Sequence, residues 1–330
     1  MSYEKTILKR KFRFSMHRYS LEPYKGMKTR YACPACNHKK TFVRYTDTST
    51  GNHLASHVGR CSREVNCGYH YTPRQYFKDT GSPLANTYVY TPLPKPRRAP
   101  SFIDPKIAIQ SFAGYDANNF VRFLVGRFGL AVATGVVKKY HIGTSKHWPG
   151  ATVFWLADYN HYVRTGKIML YDPHTGKRVK RPYSHITWAH SVMKLRDFEL
   201  RQCLFGEHLL VRRSAWLPAT REVAIVESEK TAIIASIYLP QFTWLACGSL
   251  TNLTAHRCHI LQGMNVTLFP DLNCYGRWSA KAAELSGITK FKVSHLLEQK
   301  ATEQERGQGL DIADYLLRFD PADFSPADLG

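Results

Sequence analysis

Carboxylates follow two apolar runs and cap a third segment in the last third of this chain. Val223-Ala224-Ile225-Val226 leads straight into Glu227, and Val266-Thr267-Leu268-Phe269 leads into Pro270-Asp271-Leu272-Asn273. Further on, Leu310 precedes Asp311, with Asp314 three residues later. Hard oxygen ligands of this kind suit Mg²⁺ or Mn²⁺, which keep waters and substrate phosphates in their open positions. Two such ions about 3.5–4 Å apart can activate a hydroxyl and stabilise a leaving pyrophosphate. Lys230, just after Glu227, is either a phosphate contact or a solvated helix lysine. Gly248 is either a close approach for phosphate or a plain turn. Glu229 reads as a first-turn residue favoured by the helix dipole. Asp311 and Asp314 share one helix face, where Asp311 could equally be an N-cap.

A second constellation lies near the front. Of eight cysteines, four stand at Cys33, Cys36, Cys61 and Cys67. Cys33-Pro34-Ala35-Cys36 is a CxxC knuckle, and Cys61 and Cys67 form a wider pair. Two thiolate pairs suit a tetrahedral structural Zn²⁺. His70 or His38 could replace one sulfur as a nitrogen ligand. Small cysteine-rich units rarely build a sufficient core unaided, which favours a metal over four reduced thiols or a redox pair.

These residues need elements to hold them. From Glu222 onward, strands are expected at 223–227, 242–247, 266–270 and 291–294, alternating with helices at 229–238, 252–261 and 277–286. Continuous apolar strands alternating with short helices predict a parallel sheet covered on both faces, whose ligands bind at the strand carboxyl ends. Before it, residues 102–220 read as a small mixed α+β unit. A helix is expected over 118–128, with Phe120, Leu124 and Phe128 at four-residue spacing and Gly129 as its stop. Strands are expected at 152–156, 162–164 and 167–171, with Thr165-Gly166 and His174-Thr175-Gly176 as turns. The predicted class is multi-domain α/β: a basic arm and ribbon at 1–80, a proline-rich linker at 81–101, the mixed unit at 102–220 and the parallel-sheet domain at 221–330.

Charge divides along the same lines. The net formal charge is +21, made of +14 over residues 1–100, +10 over 101–220 and −3 over 221–330. A basic front and middle joined to an acidic back fits a polyanion grip attached to a metal-holding domain. Candidate phosphate contacts are Lys39, Lys40 and Arg44 beside the knuckle, and Lys177, Arg178, Lys180 and Arg181 in the middle. Trp155, Tyr171, Tyr183 and Trp188 are either base-stacking platforms or core. The absence of a long uncharged apolar run and of a secretory h-region predicts no membrane partner and a cytoplasmic location.

The segment Cys33-Pro34-Ala35-Cys36-Asn37-His38-Lys39-Lys40-Thr41-Phe42, followed by Cys61 and Cys67-Gly68, resembles the N-terminal zinc ribbon of bacterial and phage DnaG-type primases. That family commonly has His where Cys36 stands and CxxC as its second pair. Glu227-Ser228-Glu229-Lys230-Thr231-Ala232, Cys247-Gly248-Ser249, Pro270-Asp271-Leu272-Asn273 and Asp311-Ile312-Ala313-Asp314 resemble the successive motifs of a Toprim domain, the catalytic module of such primases, of topoisomerases and of some nucleases. The resemblance implies Glu227 as acid-base or metal-proximal glutamate, Asp271 as principal metal ligand and Asp311 as the acid completing the site, with Asp314 a further candidate. Asn273 stands where the family usually has a second aspartate. The implied activity is Mg²⁺- or Mn²⁺-dependent synthesis of short RNA primers from nucleoside triphosphates on single-stranded DNA. A separate replicative helicase is an implied partner, and phages or mobile elements an implied setting. Two alternatives stay open: a Toprim-type nuclease, and a non-catalytic single-strand binder with a degenerate Toprim domain. No Gly-x₄-Gly-Lys-Ser/Thr occurs, so no fused NTPase engine is expected.

Overall fold

The computed structural model describes residues 18–81, 98–210, 222–322 and 324. The basic stretch Lys9–Phe14, most of the expected linker and the expected boundary near 220 lie outside the described residues. The chain divides into two compact units, 1–95 and 96–330.

In the first unit, β1 (Tyr19–Leu21), β2 (Phe42–Asp47), β3 (Gly59–Cys61) and β4 (His70–Tyr71) form an antiparallel sheet in that order. Gly59 sits so close to its neighbour that an added Cβ would collide with the Val43 carbonyl oxygen. The core is small: Cys33, Phe42 and Cys61 are buried, with Tyr31, Cys36, Cys67 and Tyr69 packed on them. Helix α1 (Pro73–Asp79) begins with a capping box between Thr72 and Gln75 and has proline in its first turn, where the missing N–H costs nothing.

The second unit opens with α2 (Pro105–Gln110) and α3 (Asn119–Lys139). Asn118 caps α3 by accepting from the backbone N–H groups of Phe120 and Val121. Gly129 is non-helical, with φ 80° and ψ 161°, so α3 is two helical legs across a kink. The expected stop at Gly129 is therefore real, but the chain resumes helix beyond it. α3 is long and apolar enough for a membrane span by composition, yet it is bent, and its Phe120, Phe123 and Leu124 are core residues.

Strands β5 (Ile142–Ser145), β6 (Ala151–Ala157), β7 (Val163–Met169) and β8 (Ile186–Trp188) form an antiparallel meander, followed by α4 (Ala189–Val192). The two short strands expected around Thr165-Gly166 are one continuous β7, not a strand–turn–strand. Gly166 serves packing instead: a Cβ there would lie 2.7 Å from Val153 Cγ2 and 2.8 Å from Trp155 Cε3. The second expected turn is present: Asp172 accepts from the N–H groups of His174 and Thr175 in an Asx turn, and Gly176 closes it at φ 62°, a conformation that favours glycine.

The last part is the expected parallel sheet. β9 (Glu222–Val226), α5 (Glu229–Tyr238), β10 (Phe242–Ala246), α6 (Ala255–Cys258), β11 (Val266–Leu268), α7 (Tyr275–Glu284) and β12 (Phe291–Val293) alternate along the chain, then α8 (Leu296–Lys300), α9 (Glu303–Arg306) and α10 (Ile312–Leu316) close the unit. The strand order is β10-β9-β11-β12, all parallel. The order reverses between β9 and β11, which opens a crevice at their carboxyl ends. Phe120, Phe154 and Met169 from the antiparallel part share one buried cluster with Val226, Ile234 and Trp244 from the parallel part. The two sheets are thus bound through a common core.

Candidate active site

Glu227 follows the last residue of β9, and Asp271 comes shortly after the end of β11, so the two acids flank the crevice. Ser228 starts α5 by accepting from the Thr231 N–H, so the chain turns into helix immediately after Glu227. The Gly248 N–H donates to the Glu227 carbonyl at 2.7 Å, and Gly248 lies at φ 75°, a conformation that favours glycine. Asp311 caps α10 in a reciprocal box with Asp314, which is the N-cap role weighed from the sequence. Two bonds draw this cap toward the strand ends. The Leu272 N–H donates to the Leu310 carbonyl at 2.9 Å, and the Thr231 hydroxyl donates to Asp311 Oδ2 at 2.5 Å.

A cavity of about 550 Å³ results. Glu227, Lys230, Gly248, Asp271, Asp311 and Asp314 line one side of it, and Lys177, Arg178 and Lys180, from the loop between β7 and β8, line the same cavity. Residues far apart in sequence, picked as metal ligands or phosphate contacts, therefore converge. Arg181 does not line it. Neither does Asn273, whose backbone sits at φ 66° and whose side-chain amide donates to the Arg306 carbonyl at 2.6 Å, while its backbone N–H donates to Glu298. Asn273 shapes a turn here rather than facing the other acids.

The acids disturb one another. Burial, then the negative charges of Asp311, Glu227 and Asp314, push the Asp271 carboxyl up to about 8, with Arg178 opposing. Burial raises Glu227, with Lys167 opposing. Burial and Asp311 raise Asp314, against Lys230, whose Nζ lies 4.0 Å from it. Such mutual repulsion is what a divalent cation relieves, so the donor set fits Mg²⁺ or Mn²⁺ in its chemistry. It is not drawn together as a finished chelate: among the described residues, the cysteine quartet is the one group of three or more potential ligands with its atoms within 4.8 Å of one another.

Two charged lining residues have no role in the site from sequence: Lys167, and Glu229, which reads only as a first-turn helix residue. Lys167 Nζ, on β7, reaches both Glu229 oxygens, on the first turn of α5, at 2.9 and 3.1 Å. A lysine within a strand carries no signal of its own. The only available hint was that Lys167 alternates with Thr165 and Met169 on one face of the strand. Of the aromatic candidates, Trp155 and Tyr171 are core. Tyr183 is exposed and stacks on His185.

In the ribbon, the four cysteine sulfurs gather within 4.8 Å of one another, and Cys33 and Cys67 Sγ are 3.7 Å apart. Zn–S bonds of about 2.3 Å in a tetrahedron require nearly that sulfur separation, so the quartet fits a structural zinc. The His38 backbone N–H pulls the Cys36 thiol down, while burial and the neighbouring sulfurs push Cys67 up, a crowding of sulfur charge that a bound cation relieves. His70, the alternate ligand, lies outside the quartet: its Nε2 pairs with the Tyr45 hydroxyl at 3.0 Å. His38 pairs with Arg63. Lys39 and Lys40 are exposed beside the knuckle, and the Arg44 guanidinium lies 3.8 Å over the Tyr31 ring.

Comparison with known proteins agrees with the zinc reading. Residues 17–82 match a family described as a zinc beta-ribbon finger, and residues 118–272 match a domain of unknown function, DUF6371. No curated protein matches the chain. Among solved structures, the RNA polymerase domain of Mycobacterium tuberculosis primase DnaG is 15% identical, with a TM-score of 0.43, covering 68% of this chain and 80% of that one. The zinc-binding and RNA polymerase domains of Aquifex aeolicus primase are 13% identical, with a TM-score of 0.39, over 94% of this chain and 79% of that one. The primase fragment of the bacteriophage T7 primase-helicase protein is 13% identical, with a TM-score of 0.35, over 88% and 98%.

Proposed function

We propose that this protein is a primase-like nucleotidyltransferase. It joins ribonucleotides into short primers on a single-stranded DNA template, with a Toprim-type site on the parallel sheet. The observation that carries this reading is the single cavity in which Glu227, Asp271 and Asp311 meet Lys177, Arg178 and Lys180. Acids alone would hold a cation, and bases alone a polyanion. Both in one cavity suit a reaction whose substrate is a metal-bound phosphate. Bound Mg²⁺ or Mn²⁺ would supply charge neutralisation at the triphosphate and activation of the attacking hydroxyl. Glu227, Asp271 and Asp311 would hold it, with Asp314 beside them. Lys177, Arg178, Lys180 and Lys230 would position triphosphate or template phosphates. Glu227, raised by burial, would accept the proton of the attacking hydroxyl. The zinc ribbon, with Lys39, Lys40 and Arg44, would grip the template, and a separate replicative helicase would deliver it in a phage or mobile-element setting.

Asn273 favours a second reading. Where the family usually has an aspartate, the amide is committed to Arg306, which leaves one charge fewer for metal. A site that binds nucleotide phosphate without turnover is consistent with that.

One assay separates the readings. Purified protein, a single-stranded template, nucleoside triphosphates and Mn²⁺ should give short primers, and Glu227→Gln or Asp271→Ala should abolish them. Undiminished synthesis in both variants overturns the site. Fragments released without added nucleotide point to a nuclease. Salt-dependent binding with no product under either metal points to the binder.

A further inference from the structure

The second unit holds another cavity, of about 250 Å³ and lined in part by charged residues, which shares none of its lining residues with the acidic one. Two of its acids are buried: Asp158 is 3% exposed and Glu207 is 7% exposed. Both carboxylates are already consumed by the fold. Asp158 Oδ1 accepts the backbone N–H groups of Asn160 and Tyr162, at 2.9 and 3.0 Å, and its Oδ2 accepts Arg164 Nε at 2.7 Å. Glu207 accepts the N–H groups of Tyr159 and Leu204, at 3.2 and 3.1 Å.

The cations are not consumed. Arg257 donates to the neutral Gln202 Oε1 at 2.7 Å. Arg201 donates to the Arg98 carbonyl at 2.5 Å. Among the described residues neither guanidinium is paired with a carboxylate, and both line the cavity, as do His256 and His259, which are exposed. A guanidinium carries five N–H donors in a rigid fork, so most donors of both arginines remain for a ligand. Burial works against the Arg257 charge, with Glu207 opposing from the same cavity, and a half-buried guanidinium not bonded to a carboxylate is favoured by a further counter-charge. Two forks flanked by imidazoles match an oxyanion with several acceptor oxygens better than a lone carboxylate, because arginine pairs bidentately with phosphate.

We propose that this cavity is a second phosphate site, gripped by Arg201 and Arg257, for the phosphates of a nucleotide or of a nucleic-acid strand. It stands independently of the reaction assigned to the acidic cavity.

Pyrophosphate, titrated by calorimetry into the whole zinc-loaded protein without added Mg²⁺ or Mn²⁺, is the probe. Binding should survive Lys177→Gln/Arg178→Gln/Lys180→Gln, which removes the basic loop from the acidic cavity. It should weaken roughly tenfold or more in Arg257→Gln and in Arg201→Gln, the scale of a lost charge-assisted bond. Arg257→Lys, which keeps the charge without the fork, should fall between. Unfolding midpoints of each variant separate a lost grip from a lost fold, and two independent arginines keep the test valid if one variant fails to fold. Unchanged affinity in both glutamine variants, or binding that vanishes with Lys177, Arg178 and Lys180, overturns the proposal. Displacement of pyrophosphate by ATP assigns the site to free nucleotide, and displacement by a thymidine oligonucleotide assigns it to a strand. Displacement by neither also overturns it.

Discussion

Lys167 and Glu229 form an ion pair with side chains only 12% and 3% exposed, and the pair ties the antiparallel sheet to the first turn of α5. It lies in the wall of the acidic cavity, so it fixes how the basic loop faces the acids. Removing one member of a buried pair leaves an uncompensated charge. Lys167→Met should therefore cost about 3 kcal/mol or more of unfolding free energy in urea. Glu229→Gln should cost less, since Lys167 also interacts with Glu227 and keeps one acid partner. A Lys167→Met loss under about 1 kcal/mol would show that the pair is screened by water.

The ribbon should depend on its metal. Its buried core is Cys33, Phe42 and Cys61, too small to hold four short strands alone. One zinc per chain is expected by elemental analysis, and none in Cys33→Ser/Cys61→Ser. Chelation should expose residues 18–81 to protease. The unit beyond residue 96, whose larger clusters contain no residue of the ribbon, should keep its thermal transition. Survival of the ribbon without metal would return the quartet to four plain thiols.

The parallel sheet and its acids were legible because local and global signals agree there. Ser228 at the cap, the apolar run after it and Pro240 beyond it set α5 at 229–238, the range observed. Glu227 and Asp271 stand out because a charge directly after a buried strand has few structural reasons to be there. The misreadings come from residues whose role is set by distant neighbours. Gly166 looks like a turn in sequence, but it is a gap that Val153 and Trp155 fill across the sheet. Gly129 reads as an end, yet the leg after it buries Ala133, Val136 and Val137 in the common core, so tertiary packing restarts the helix. Lys167 carries no signal until Glu229, 62 residues away, is placed beside it. Asn273 occupies a motif position, but its left-handed backbone turns it toward Arg306.

His208 should make stability depend on pH. Burial, 8% exposed, pushes its imidazole down to about 4. Its Nε2 lies 3.0 Å from the Lys139 carbonyl, and its Nδ1 is buried without a hydrogen-bond partner among the described residues. The folded ring stays neutral while the unfolded one gains a proton below about 6.5. This contribution is therefore full above pH 6.5 and is lost as pH falls toward 4. Between pH 7 and 5 the loss should reach about 2 kcal/mol. His208→Gln keeps a donor for Lys139 and does not titrate, so the difference between it and wild type should shrink by that amount at pH 5. Parallel pH profiles for the two would place the stabilising titration elsewhere.

Asp271 should be a residue that the metal-free fold would be more stable without. Its carboxyl is raised to about 8 by burial and by the charges of Asp311, Glu227 and Asp314. The folded acid therefore holds its proton across a range where the unfolded one, near 3.9, has lost it. Without metal, the Asp271 contribution to stability falls as pH rises from about 4 to about 8. Asp271→Asn removes that slope and should raise the melting temperature in EDTA at pH 8. Mn²⁺ should reverse the ranking, because a cation that binds only the folded wild type stabilises it by mass action, and the amide brings no charge to hold it. Wild type should thus gain several degrees with Mn²⁺ and the variant little. Equal shifts in both would place the metal away from Asp271, and a variant less stable than wild type in EDTA would mean that its carboxyl supports the fold rather than opposing it.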